Sequence, residues 1–410
     1  MRERAGSGRY PRRFLAVSGI AVAGATVLLG VAGGVLAAVM ARRIVTPSTT
    51  RSDDVRIHSV DLAAETITLQ STADSVLQGD YSFWFSGDTG HAHLGEILRL
   101  TPTKVTRRIL RVDHGDLARA ERGRLGGYSY LGPWDLGFAF EDVLVSTDAG
   151  DAPAWLIPAE EPDGRWVIQV HGRGVQRQET LRAAPVFRDA GFTSLLVSYR
   201  NDGEAPRSGD GRYSLGDAEW QDVDAAIAFA VHRGATEIVL MGWSMGGAIV
   251  LQSATRSTLR DRIVGIVLDS PVIDWADVAR FHGGLLGLPA VIASGALEVL
   301  GRRWGKIVTG QTQPIDFGRL DFVTRAAELD LPVLLMHSDD DGFVPATGSR
   351  ALAGRRPDIV TFLPFAVARH TKLWNYDREG WNQAITNWLV EIAPTERKSL
   401  PGRPEEVAAT

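Results

Sequence analysis

Six short apolar runs, spaced by helix-forming stretches, constrain the fold of this chain more than any other feature. They fall at 166–170, 193–198, 237–241, 263–268, 332–336 and 359–363. Runs of this length, rich in Val, Ile and Leu and without polar alternation, suit strands buried on both faces. The stretches between them, at about 178–190, 217–233, 245–257, 347–353 and 378–391, read as helices. Strands and helices in alternation predict a mostly parallel sheet with helices on both sides, an α/β fold. A hairpin precedes it: 140–146 alternates, Asp148-Ala149-Gly150-Asp151 turns, and 154–157 returns. The domain is placed at 136–392, without an internal repeat of roughly 20–50 residues.

The stretch 274–328 interrupts this rhythm. It is too long for a simple connection and holds Phe281, Leu285, Leu286, Leu288, Ile292, Leu297 and Trp304. A helical insertion is expected, entering at one strand end and returning before the next strand, over the edge where such sheets bind ligands. Residues 55–135 read as a β-rich accessory region. Within it 65–70 alternates, 81–85 is aromatic, Ser86-Gly87-Asp88-Thr89-Gly90 turns, and 104–112 is strand-like, whereas 115–135, rich in Gly and Arg, reads as a connection. Residues 393–410 form a polar tail.

No charged residue occurs from Phe14 to Met40. That exceeds the roughly 20 residues needed to span a bilayer. Arg2, Arg4, Arg9, Arg12 and Arg13 precede the run against one Glu3, so the positive-inside rule places 1–13 in the cytoplasm. The expectation is a single-pass transmembrane helix at 14–41, a linker at 42–54, and a catalytic domain outside the cytoplasm. Arg42 and Arg43 oppose that orientation but are fewer. A cleaved signal peptide is the rival reading, although the run is longer than the usual h-region of roughly 7–15 residues. Arg12-Arg13 loosely fits a twin-arginine export signal, with poor flanks.

Composition narrows the chemistry. Hydrophobic residues make up 44% and charged residues 23%, enough for a sizeable core. A net charge of −5 gives no sign of a nucleic-acid partner. The absence of cysteine excludes disulfides, a thiol nucleophile and cysteine-ligated metals.

Gly242-Trp243-Ser244-Met245-Gly246 follows an apolar strand and opens a helix-like stretch. A strand-to-helix turn of this kind exposes a serine hydroxyl, and the glycines let the flanking backbones pass closely. Ser244 is therefore the candidate nucleophile. After the strand at 332–336, Asp339, Asp340 and Asp341 compete to orient an imidazole. His370, beyond the last strand, is the candidate base, and the order Ser–Asp–His suits a hydrolase. His232 and His282 fit that role less well. The Gly-rich turn His171-Gly172-Arg173-Gly174 can aim backbone N–H groups at the serine, which makes Met245 and Arg173 the candidate oxyanion donors. His171 reads as a structural residue of that loop. His91 and His93 form an H-x-H pair that lacks nearby acidic or cysteine ligands, so no metal site is expected.

Together these segments resemble the α/β-hydrolase superfamily over 136–392, nearest its esterase and serine-aminopeptidase-like group. The shared pattern is HGxG after a strand, the GWSMGG elbow, H-x-D-x-D-x-x-V-P and a late histidine. The resemblance implies that the acid is Asp341, three residues before the Val of Val344-Pro345, and that 274–328 is a cap. Ser338 stands where the family often has Gly. The expected activity is acyl transfer without a cofactor, on a small-molecule ester or a peptide. A serine peptidase of the same fold, and an inactive membrane-bound scaffold, are the alternatives.

Overall fold

The computed structural model describes residues 32–47 and 51–393. The tail 1–13, most of the expected membrane segment and residues 394–410 lie outside the described residues. Of 14–41, residues 32–41 form the start of helix α1 (32–45). Among the described residues no helix is long and apolar enough to cross a membrane.

The N-terminal region is a closed six-stranded antiparallel barrel. Its strands are β1 (Val55–Asp61), β2 (Thr66–Gln70), β3 (Tyr81–Phe85), β4 (Gly90–Leu100), β5 (Lys104–His114) and β6 (Arg122–Gly126), in the order β1-β2-β5-β4-β3-β6. Alternate residues, among them Ile67, Leu69, Phe83, Phe85, Ala92 and Leu94, fill the interior. The stretch expected to be only a connection holds β6, which closes the barrel between β1 and β3. Its Gly-rich sequence has little strand propensity, and two waiting edges supply the pairing. Buried Arg107 donates to the carbonyls of Ser75, Leu77, Gly79 and Gly95, and so fixes the β2–β3 loop.

The second unit is an eight-stranded sheet. It comprises β7 (Glu141–Thr147), β8 (Gly150–Ile157), β9 (Arg165–Val170), β10 (Thr193–Val197), β11 (Glu237–Trp243), β12 (Ile263–Asp269), β13 (Val333–Ser338) and β14 (Val360–Phe365). The order is β14-β13-β12-β11-β9-β10-β8-β7. Pairings from β10 to β14 are parallel, and β8 runs antiparallel to both β10 and β7. All six expected core strands and the hairpin are present. The helices are α2 (Ala184–Asp189), α3 (Trp220–His232), α4 (Met245–Arg256), α5 (Trp275–Leu285), α6 (Ala290–Gly301), α7 (Lys306–Thr309), α8 (Thr347–Arg355), α9 (Leu373–Tyr376) and α10 (Arg378–Ile392).

Two apolar clusters seal the faces of the sheet. One joins α3 and α4 to Ile168, Leu240 and Leu268; the other joins α2 and α10 to Val167, Met241 and Val267. Neighbouring strand residues serve opposite clusters because side chains alternate across a strand. The chain passes from β9 to β10, then back across β9 to β11. Ligands in such sheets bind beyond the carboxyl ends of the strands at this reversal.

The expected insertion is helical: α5, α6 and α7 lie between β12 and β13. Helix α1 packs along it. Ala37, Ala41 and Val45 are buried, and a Cβ at Gly33 would lie 3.2 Å from Ile292 Cδ1. A Cβ at Gly295 would lie 3.2 Å from Ala37 Cβ, so α1 and α6 run side by side in the same direction.

Candidate active site

Ser244 occupies the turn between β11 and α4 with φ 52° and ψ −117°. A non-glycine residue held there stores strain, which surrounding structure must over-determine. The turn is closed by near-contact of backbones. A Cβ at Gly242 would lie 2.4 Å from Gly246 O, and one at Gly246 would lie 2.2 Å from Val170 O. No side chain fits at either position, which accounts for the glycines that flank the serine by two.

Ser244 Oγ lies 3.0 Å from His370 Nε2, and His370 Nδ1 lies 2.7 Å from Asp341 Oδ2. Asp341 Oδ1 accepts from the N–H groups of Phe343 and Val344, each at 2.8 Å, while His337 Nε2 sits 3.2 Å from Oδ2. Burial pushes this carboxyl upward. The charge of His370 and the hydrogen bonds from His337 and His370 outweigh burial and hold it well below the usual carboxylate range. Burial pushes His370 down, but the charge and hydrogen bond of Asp341, with Glu179 and Asp269 behind, leave it raised above a free imidazole.

Of the three competing aspartates, only Asp341 meets His370. Asp339 is a surface residue paired with Arg350. Asp340 holds the histidine loop instead: its Oδ1 accepts from Arg369 N at 2.9 Å and from Ser338 Oγ at 2.7 Å. Ser338 Oγ also accepts from Ala368 N at 2.8 Å. The serine that departs from the family pattern therefore braces the loop. Arg369 and Thr371, on either side of His370, have φ 59° and 51°. Thr371 is fastened by its N–H to Ser270 Oγ at 3.1 Å and by its carbonyl to Arg182 Nη1 at 2.8 Å.

The barrel reaches this loop as well. Asp74, from the β2–β3 loop fixed by Arg107, pairs with Lys372 Nζ at 2.9 Å and Arg369 Nε at 3.6 Å. Asn375 donates to Asp80 O at 2.8 Å, and Gly79 packs so tightly that a Cβ there would lie 2.0 Å from Asn375 O. None of these contacts has a local sequence signal, because each joins residues hundreds of positions apart.

On the other side of Ser244, Gly172 N–H is already donated to buried Glu179 at 3.0 Å. Met245 N–H, at the first position of α4, is one of the helix donors that lack an intrahelical acceptor. It and Arg173 N–H remain the donors expected to face an oxyanion. The Arg173 guanidinium donates to Arg43 O at 3.1 Å and Thr46 O at 3.2 Å, at the end of α1, while Arg51 donates to Gly174 O at 2.6 Å. His171 is fully buried, stacked on Tyr199 at 4.3 Å and 3.2 Å from Asp202, a structural residue as expected. His282, on α5, bonds Phe343 O at 2.8 Å; the Phe343 ring lies 5.1 Å from that of His370.

In the barrel, the expectation that His91 and His93 lack an acidic neighbour is overturned. Strand β5 brings Asp113 to 2.6 Å from His91 Nδ1 and 3.0 Å from His93 Nε2, a set whose donor atoms could hold a metal ion. Arg111 already sits against it, with Nη2 2.9 Å from His93 Nε2 and Nε paired to Asp113. A fixed cation at that point opposes a second one, so the cluster is accounted for as an ion-paired network.

Residues 56–126 match a Domain of unknown function (DUF8805). The chain is 25% identical over 259 residues to a monoacylglycerol lipase of Mycolicibacterium smegmatis, spanning 57% of this chain and 90% of that protein. Among solved structures it is similar to an esterase of Pyrococcus furiosus, with a TM-score of 0.50 and 19% identity over 64% of this chain and 94% of that one, a likeness of fold. Residues 167–384, more than half of the sequence and holding the β9 loop, the Ser244 elbow, Asp341 and His370, match the Alpha/beta hydrolase family, and to that family the chain belongs.

Proposed function

We propose that this protein is a membrane-anchored serine hydrolase that cleaves a carboxylic ester. The observation that carries the reading is the unbroken line from Asp341 through His370 to Ser244 on its strained turn. His370 Nε2 takes the Ser244 proton as Oγ attacks the ester carbonyl carbon. The oxyanion accepts from Met245 and Arg173 N–H, and Asp341 holds the imidazole in the tautomer with Nε2 free. His370 then protonates the leaving alcohol. Water, deprotonated by His370, attacks the acyl-enzyme and releases the acid. No cofactor enters these steps. The name of the mycolicibacterial relative, a lipase, supports an acyl ester over a peptide bond. The uncharged run from Phe14 to Met40 and the arginines before it support a single-pass anchor with the catalytic domain outside the cytoplasm.

The test is Ser244→Ala in the full chain. Fluorophosphonate labelling should vanish, and hydrolysis across a panel of esters and peptides should fall by several orders of magnitude, to a residue of about 10³–10⁴ over water. Near-normal turnover in the folded variant would refute the mechanism.

A further inference from the structure

Two exposed apolar features of the cap lie beside α1, whose own free side is another. The first is the α5–α6 tip, where Leu285, Leu286 (67% exposed) and Val291 (70%) face outward. The second is the free side of α1, with Val35, Leu36 and Val39 exposed. The third is α7 and the turn before it, with Trp304 and Ile307 (83%) exposed. A monomer scatters single apolar residues over its surface, but several large ones ranged along one helix mark a contact.

Their heights along α1 follow an order. Gly33 lies beside Ile292, next to the tip, and Arg42 Nη1 donates to Val308 O, next to Ile307. A helix rises about 1.5 Å per residue, so α7 stands roughly 13 Å further along the axis than the tip. The tip is level with the uncharged run that ends at Met40 and carries no charged side chain from 283 to 297. At the level of Arg42 and Arg43 the apolar residues are accompanied by cations: Arg303 and Lys306 flank Trp304 and Ile307, beside Arg302, which pairs with Glu298. Glu298 is the sole acid from 278 to 310, in a chain whose net charge is −5. Apolar side chains below, then Trp and basic residues about one headgroup thickness above, is the vertical profile of a membrane interface.

We infer that the α5–α6 tip, the free face of α1 and α7 dock on a lipid leaflet bearing anionic headgroups, and that the active site takes its ester from that leaflet. The second clause rests on the esterase reading above. The path is short. His282 lies one helical turn before Leu285 on α5 and touches Phe343, whose ring lies against His370. An acyl chain that leaves the lipid along α5 is thereby led toward Ser244.

The absence of native cysteine makes the test direct. The full chain carrying Val291→Cys, labelled with a nitrobenzoxadiazole dye, is reconstituted in phosphatidylcholine–phosphatidylglycerol vesicles containing doxyl-lipid quenchers. The control is Val390→Cys, an exposed position on α10 across the sheet. Strong quenching at 291 and little at 390 is expected. Equal quenching at both sites, or unquenched 291 dyes with 291 cysteines that cross-link two copies of the chain, overturns the docking. In parallel, L286D/V291D/I307D should lose about tenfold or more on a long-chain monoacylglycerol embedded in the vesicles and less than about twofold on a soluble butyrate ester. An unchanged ratio of the two rates in the folded variant overturns the supply route. Quenching needs no turnover, so a chain that is quenched at 291 yet hydrolyses neither ester refutes the esterase reading and leaves the docking standing. Hydrolysis without quenching does the reverse.

Discussion

Lys372→Met should slow turnover without unfolding the protein, because it loosens the barrel's hold on the loop that carries His370. Lys372 pairs with Asp74 at 2.9 Å, with side-chain exposures of 12% and 36%. A pair this accessible is worth at most about 1 kcal/mol. The loop it holds cannot relax harmlessly, since Arg369 and Thr371 sit at positive φ and store strain of about 1–3 kcal/mol each. If the lost energy goes into displacing His370, the population with Nε2 against Ser244 drops by roughly fivefold. kcat should fall by that factor while KM stays within about twofold, because substrate contacts are untouched. Asp74→Ala removes the Arg369 contact too and should cost slightly more, and the double variant should cost no more than Asp74→Ala alone. The assay is hydrolysis of a soluble butyrate ester, normalised by fluorophosphonate titration of active sites, with circular dichroism to verify folding. Additive losses, or a change in KM with kcat intact, would refute the claim that the barrel positions the histidine.

Asp341→Asn should lower kcat by about 10⁴ by favouring the wrong imidazole tautomer. Asp339→Asn should be nearly silent, and Asp340→Asn should fall between them, since it loosens the loop but leaves the line of transfer intact; steady-state kinetics on the three variants checks the order. The reaction needs His370 neutral, and its pKa is raised, so kcat/KM should fall on acidification with its midpoint above 6.5, the value of a free imidazole. Asp341, held well below its usual range, stays ionised throughout and adds no second acidic step. In Asp341→Asn the midpoint should move down, because the charge that raised it is gone, and a pH profile with an unmoved midpoint would count against that cause.

The α/β core was readable because each strand is a short apolar run whose fate depends on burial alone, and the elbow because Gly242 and Gly246 are dictated by contacts closer than any side chain allows. Strand β6 was not readable: RGRLG has a strand's burial pattern only after β1 and β3 flank it. The metal-like set at His91 escaped notice because Asp113 comes from the next strand rather than from a nearby position. The supports of the site stayed hidden for the same reason. Ser338, Asp340, Glu179 and Asp74 are ordinary polar residues in sequence, and only the fold brings them to the loops they brace. The uncharged run from Phe14 to Met40 is legible in composition, and what the described residues add is its last turns, packed on α6.

That packing gives the N-terminal segment a part in the site. The carbonyls of Arg43 and Thr46 that end α1 are the seat of the Arg173 guanidinium, and Arg51 grips Gly174 from the same side. The loop proposed to steady a tetrahedral intermediate is therefore braced by the very stretch that follows the uncharged run. Proteolysis between residues 47 and 51 would split that brace, whereas a cut before residue 32 would keep it whole. On the anchor proposed above, a cut close to the domain dims the chemistry as it releases the protein, and full activity is confined to copies that keep their N-terminal segment.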